Sequence, residues 1–202
     1  MNDIIAHLSA DKKLKPIIDK IGALEITPRK YIYLRLCSSI MSQQLSTRVA
    51  DVIYKRFEAL YGNKVPKLQQ IIATPDEQLR AIGLSNAKVG YVKNVCRFFM
   101  EHNITDKKLH TLDDHEVIEL LTQIKGVGQW TVEMILMFGL GRENIFATDD
   151  LGIQQAMCSL YKINPVDKKK MKEAMIKKAR GWEPYRTYAC RYLWRWKDDP
   201  VS

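Results

Sequence analysis

Apolar positions along this chain recur every three or four residues, and nowhere alternate with period two for long enough to make a sheet. A short amphipathic helix is expected over Asp11–Ile21, with Pro16 in its first turn and Gly22 as its stop. Pro28 opens a longer helix through Met41, with Tyr31, Leu34, Ser38 and Met41 on one face. Ser46 is placed to cap the next, whose stripe is Ala50, Ile53, Phe57 and Leu60 and whose stop is Gly62. Thr74-Pro75-Asp76-Glu77 has the form of a capping box, ended by Gly83. Ser85 caps a helix with Val89, Val92, Cys96 and Phe99 inward. Asp113 to Glu116 is a second box, leading into Val117, Leu120, Leu121 and Ile124. From Trp130 to Phe138 the chain is apolar almost all round, the pattern of a central helix. Asp167 caps a lysine-rich helix, and Pro184 begins a last one with Tyr185, Tyr188, Tyr192 and Trp196 in register. These elements predict an all-α protein of roughly ten helices with short connections.

Composition narrows the classes. At 202 residues the chain has material for one generous domain or two small lobes. No apolar run approaches the ~18 residues that span a bilayer. Met1 to Ile5 carries no basic-then-apolar pattern, so an intracellular protein without a signal peptide is expected. Thirty-two Lys+Arg against 23 Asp+Glu leave a net charge of +9, which favours a polyanionic partner. Cys37, Cys96, Cys158 and Cys190 lie far apart, with no C-x-x-C spacing, and His7, His102, His110 and His115 form no local motif. No zinc or iron–sulfur ligand set is visible, and free thiols are the plain reading.

The chemistry concentrates between Leu121 and Ile153. Lys125-Gly126-Val127-Gly128 is a tight turn between two helices. Its glycines leave amide N–H groups bare at a helix N-terminus, which suits a phosphate, and Lys125 adds charge at the tip. The same tripeptide also serves as a plain glycine-assisted turn. Asp149-Asp150 then heads the next helix. Two such aspartates satisfy free N–H groups and the helix dipole, or one of them is a poised catalytic carboxylate.

Ile124-Lys125-Gly126-Val127-Gly128-Gln129-Trp130-Thr131 resembles the hairpin of the helix-hairpin-helix DNA glycosylase superfamily, and within it the 3-methyladenine DNA glycosylase II branch. Four further stretches match that branch in order: Ser42 to Ser46, Leu79 to Ser85 with Lys88, Phe146 to Asp150, and Trp182 to Tyr188. The resemblance therefore runs from about Tyr31 to Trp196, without the N-terminal β-domain of larger members.

The resemblance implies a two-lobed helical fold with a cleft between lobes, one lobe over residues 29–141 and the other over 1–28 plus 142–202. It implies Asp150 as the catalytic residue, with Asp149 as the helix cap beside it. Trp130 stands where lyase-active relatives hold a nucleophilic lysine, which implies a monofunctional enzyme that leaves an intact abasic site. Trp130 and Trp194 are implied as walls of the base pocket, and Gln44 or Leu45 as the wedge that fills the vacated stack. Lys125, Gly126, Val127 and Gly128 would hold a DNA phosphate. The main-chain carbonyls of Thr122, Ile124 and Val127 would hold a sodium or potassium ion, with no other cofactor required. The Lys168-Lys169-Lys170 run reads as a solvated helix end. The expected partner is double-stranded DNA containing damaged bases, met by a monomer. Two other readings stay open: a glycosylase for deaminated or oxidised bases, and a non-catalytic hairpin protein that binds DNA.

Overall fold

The computed structural model describes residues 2–198. Among them are thirteen α-helices, one 3-10 turn and no strand. None of these helices is long and apolar enough to cross a membrane. The chain divides into two compact units, one of Arg29–Ile135 and the other of the segment up to Pro28 with everything from Leu136 on.

The N-terminal segment differs from expectation. Two helices, α1 (Asn2–Ser9) and α2 (Lys15–Ile21), replace the single one foreseen over Asp11–Ile21. The break falls at Asp11, whose Oδ1 accepts the amides of Lys13 and Leu14 and so offers the backbone a turn. Pro16 sits in the first turn of α2, as its locked φ favours.

In the Arg29–Ile135 unit, α3 (Ile32–Ser42) begins four residues later than Pro28 implies. Its cap is tertiary: the carboxylate of Asp106 accepts the N–H groups of Tyr31 at 2.6 Å and Ile32 at 3.0 Å. Next come α4 (Thr47–Leu60), where Ser46 holds the cap position without a side-chain cap bond, and the short α5 (Leu68–Ala73). Thr74 does not cap α6 (Asp76–Ala81); its hydroxyl donates to the Gln70 carbonyl at 2.8 Å and pairs with Tyr61. Asp76 instead forms an ion pair with the buried Lys93. Ser85 caps α7 (Asn86–Glu101) through the Lys88 amide. A short α8 (Asp106–Thr111) precedes α9 (Asp114–Thr122), whose capping box forms in full between Asp113 and Glu116. The core of this unit is α7 against α3 and α5, with Leu36, Cys37, Ile40, Ile71, Val92, Val95 and Cys96 sealed from solvent. Gln129–Phe138 forms α10, and the division between units falls inside it.

The other unit continues with α11 (Leu151–Tyr161), α12 (Lys168–Ala179), a 3-10 turn over Arg180–Trp182, and α13 (Arg186–Asp198). Asp167 caps α12 as expected, and Lys168 to Lys170 are exposed. Here α13 packs on α11 and α2, burying Tyr188, Tyr192 and Leu193. Cys37, Cys96 and Cys190 are buried and Cys158 is half-buried, all four outside any disulfide.

Asp11 ties this unit together. Its side chain, 7% exposed, meets the Lys178 ammonium at 2.8 Å, the Tyr161 hydroxyl at 2.9 Å and the Trp182 indole N–H at 3.0 Å. Burial opposes the ionised carboxyl, but the Lys178, Trp182 and Tyr161 bonds, with the Lys13 amide, hold its pKa below the usual carboxylate value. A depressed folded-state pKa contributes stability that is complete above the unfolded value of about 3.9 and is lost as pH falls through the folded one. Asp11→Asn should cost about 2–4 kcal/mol at neutral pH. In urea melts that gap should narrow as pH drops from about 5 towards 3. A constant gap would show that the carboxylate's charge contributes nothing there.

Candidate functional site

The hairpin is built from the residues the sequence singles out. After α9 the buried Ile124 anchors the chain, and the turn closes when the Val127 amide donates to the Ile124 carbonyl at 2.9 Å. Gly126 adopts a φ of +105°, a region where other residues are strained. It also lies directly against α7. A Cβ there would come within 2.3 Å of Tyr91 Cγ and 2.7 Å of Tyr91 Cβ. Asn94, one turn further along α7, donates to the Lys125 carbonyl at 3.4 Å. Gly128 differs: its φ is not left-handed, and a Cβ would meet nothing within 4 Å. The side chain of Lys125 is exposed beside it, and Trp130 on the first turn of α10 is 38% exposed.

The turn between α3 and α4 belongs to the same unit. Gln44 takes a left-handed φ of +59°, and both Gln44 and Leu45 face solvent. The turn is held from α7 by Lys88, whose ammonium donates to the carbonyls of Met41 at 3.0 Å and Gln43 at 2.7 Å. These bonds satisfy acceptors that the end of α3 leaves open. Partial burial lowers the pKa of Lys88 from the usual lysine value.

The carboxylates lie in the other unit. Asp150 is the N-cap of α11: with φ −71° and ψ 121°, its Oδ1 accepts the Ile153 amide at 2.8 Å. This corrects the assignment of the cap to Asp149. Only the residue immediately before the first helical one can lay its side chain on the third amide; Asp149, one position earlier, pairs with Lys172 of α12. The oxygen that caps the helix also accepts the Trp194 indole N–H, from α13, at 2.8 Å. The approach is braced twice. Gln154 of α11 donates to the Thr148 carbonyl at 2.8 Å, and Phe138 packs on Trp194 with ring centroids 5.6 Å apart.

The structure therefore joins Asp150 and Trp194 directly. Lys125, Gly126, Val127, Gly128 and Trp130 share one hairpin and helix start, and Gln44 and Leu45 share the Lys88-held turn. Tyr91 under the hairpin, Lys172 beside Asp149, and Gly152, where a Cβ would lie 3.0 Å from Asp150 Oδ1 and Trp194 Cδ1, escape sequence reading. They are ordinary residues that acquire a role only from distant neighbours.

An ionised carboxylate at a helix N-terminus is suited to stabilising positive charge that develops beside it. A lysine and the amides of Gly126 and Gly128 on a glycine turn are suited to a phosphate, whereas the Val127 amide, engaged by the Ile124 carbonyl, is not, which corrects its assignment to that role.

Comparison with known proteins bears on which chemistry this is. The family described as HhH-GPD superfamily base excision DNA repair protein matches residues 37–181. DNA-3-methyladenine glycosylase 1 of Schizosaccharomyces pombe is 32% identical over 195 residues, covering 94% of this chain and 84% of its own. Among solved structures, the S. pombe 3-methyladenine DNA glycosylase in complex with abasic DNA superposes with a TM-score of 0.87 at 30% identity, over 98% of both chains. DNA-3-methyladenine glycosidase of Bacillus halodurans superposes with a TM-score of 0.82 at 36% identity, over 96% of this chain and 88% of the other.

Proposed function

Because the chain belongs to the HhH-GPD superfamily of base excision DNA repair proteins, we propose that it is a monofunctional DNA glycosylase that flips alkylated bases out of duplex DNA and hydrolyses their N-glycosidic bonds. The observation that carries this reading is the Asp150 carboxylate, fixed through Oδ1 by two N–H donors at the start of α11. Breaking the bond builds positive charge on the sugar, as in glycoside hydrolysis. A carboxylate held at the anomeric carbon stabilises that charge, or orients and deprotonates the attacking water. A base alkylated on a ring nitrogen is already cationic and leaves without a general acid, so one carboxylate suffices. The similarity to the two named 3-methyladenine enzymes supports this lesion class.

The other parts divide the binding. The amides of Gly126 and Gly128, with Lys125, grip a phosphate of the strand, while the Val127 amide is taken up in closing the turn. The open space beside Gly128 supports this reading, since a side chain there would stand in the phosphate's way and the fold itself does not require glycine. Carbonyls of Thr122, Ile124 and Val127 would hold a sodium or potassium ion. Neutral carbonyls are hard donors suited to such a cation, and the Ile124 carbonyl keeps a second lone pair beside its bond to Val127. Bound there, the ion would add positive charge for the phosphate. Gln44 and Leu45 fill the vacated stack, and Trp130 and Trp194 offer aromatic faces that favour a cationic base. With Trp130 in the lysine position no Schiff base forms, and the abasic strand stays intact.

The test is to incubate the protein with duplex DNA treated with a methylating agent and to separate the products. Free 3-methyladenine-type bases should appear with unbroken abasic strands, which nick only after heating in alkali. Binding without base release would leave a non-catalytic DNA-binding protein, and strand cleavage by the protein itself would contradict the monofunctional reading.

A further inference from the structure

Gly152 sits at the second position of α11, with a backbone conformation any residue adopts and a helix propensity that argues against it. Its reason is space. A Cβ would lie 3.0 Å from Asp150 Oδ1, 3.0 Å from Trp194 Cδ1 and 3.1 Å from Trp194 Nε1. Those atoms are the two ends of the Trp194–Asp150 hydrogen bond and the edge of the ring that donates it. The missing side chain is therefore what lets the indole lie close enough to reach the carboxylate.

We propose that Gly152 and Trp194 are positioning residues for the catalytic carboxylate: Trp194 fixes the orientation of Asp150 by donating Nε1–H to Oδ1, and Gly152 is the gap in α11 that admits the indole. The Ile153 amide holds Oδ1 from the start of α11, and the Trp194 indole holds the same oxygen from α13, so the two donors approach it from different helices. The Phe138 ring, braced on the indole, limits its tilt. Orientation of this kind matters because a charge misplaced by a fraction of an ångström loses much of its advantage in the transition state.

This inference rests on the reading of Asp150 as the catalytic group, and the experiment separates the two. Trp194→Phe keeps an aromatic ring but removes the N–H donor. Gly152→Ala keeps the donor but forces it aside. Single-turnover release from methylated duplex should fall about 10-fold in each variant, while affinity for a duplex carrying an abasic-site analogue stays within about 2-fold. The two changes act through one hydrogen bond, so the double variant should lose about 10- to 30-fold rather than the ~100-fold of independent effects. Circular dichroism and melting temperature confirm that each variant is folded. Should Gly152→Ala not fold, the Trp194→Phe rate and affinity decide the matter alone. Wild-type rates in Trp194→Phe, weakened affinity at unchanged rate, or a full ~100-fold loss in the double variant would overturn the proposal. If Asp150→Asn itself releases bases normally, the underlying reading fails instead.

Discussion

Asp150→Asn should lose roughly 100-fold or more of its base-release rate while keeping its fold and its affinity for DNA. The substitution is unusually clean at this position. Asparagine is as good an N-cap as aspartate, and its side-chain oxygen can take over both bonds that Oδ1 now accepts, from Ile153 and Trp194. What disappears is the negative charge, so the loss measures electrostatic stabilisation of the sugar cation and activation of water. Alanine at the same place would mix that loss with a cap worth about 0.5–2 kcal/mol. The measurement is single-turnover release from methylated duplex, with urea melts of both proteins beside it. Release at the wild-type rate would remove Asp150 from the chemistry. Asp149→Asn supplies the contrast: its carboxylate is occupied by Lys172 on the surface of α12, and the rate should change no more than about 3-fold.

Gly126→Ala should cost about 2–5 kcal/mol of stability, a large share of what holds a domain of this size together. Two penalties combine. A φ of +105° strains any side chain, and the new methyl overlaps the root of the Tyr91 ring. Overlap at Cβ and Cγ cannot be relieved by swinging the far end of the residue; α7 or the hairpin must shift. Gly128→Ala, with open space around it, should leave the urea midpoint nearly unchanged and weaken binding to duplex DNA of any sequence. Equal stability losses for the two glycines would show that the hairpin does not rest on Tyr91 as described.

The contrast between these glycines illustrates how far sequence reasoning reaches. The Gly-Val-Gly spacing identifies a turn, because few other residues permit one so tight, but it cannot distinguish a glycine demanded by a neighbouring ring from one left open to a ligand. Likewise the capping box at Asp113 and Glu116 is local and forms as read, whereas the start of α3 depends on Asp106, far along the chain. A sequence motif also misplaced a role. The resemblance gave the cap to Asp149 and catalysis to Asp150, yet the backbone dihedrals make Asp150 the cap. Helices α1, α5 and α8 run for only one or two turns, too short for an apolar stripe to recur, and periodicity passes over them.

What the sequence alone determined, then, is whatever is encoded within a few residues: the helical class, most helix ends, the glycine hairpin and the placement of an aspartate pair at a helix start. The tertiary structure alone decided that Asp149 pairs with Lys172, that the Trp194 indole shares the capping oxygen of Asp150, that Gly152 makes room for that bond, that Tyr91 lies beneath Gly126, and that Lys88 holds the Gln44 turn. The physical reason is the same in each case. Helix ends and turns are set by backbone geometry within one turn of chain, while the orientation of a carboxylate depends on donors brought to it by packing from residues 44 positions away.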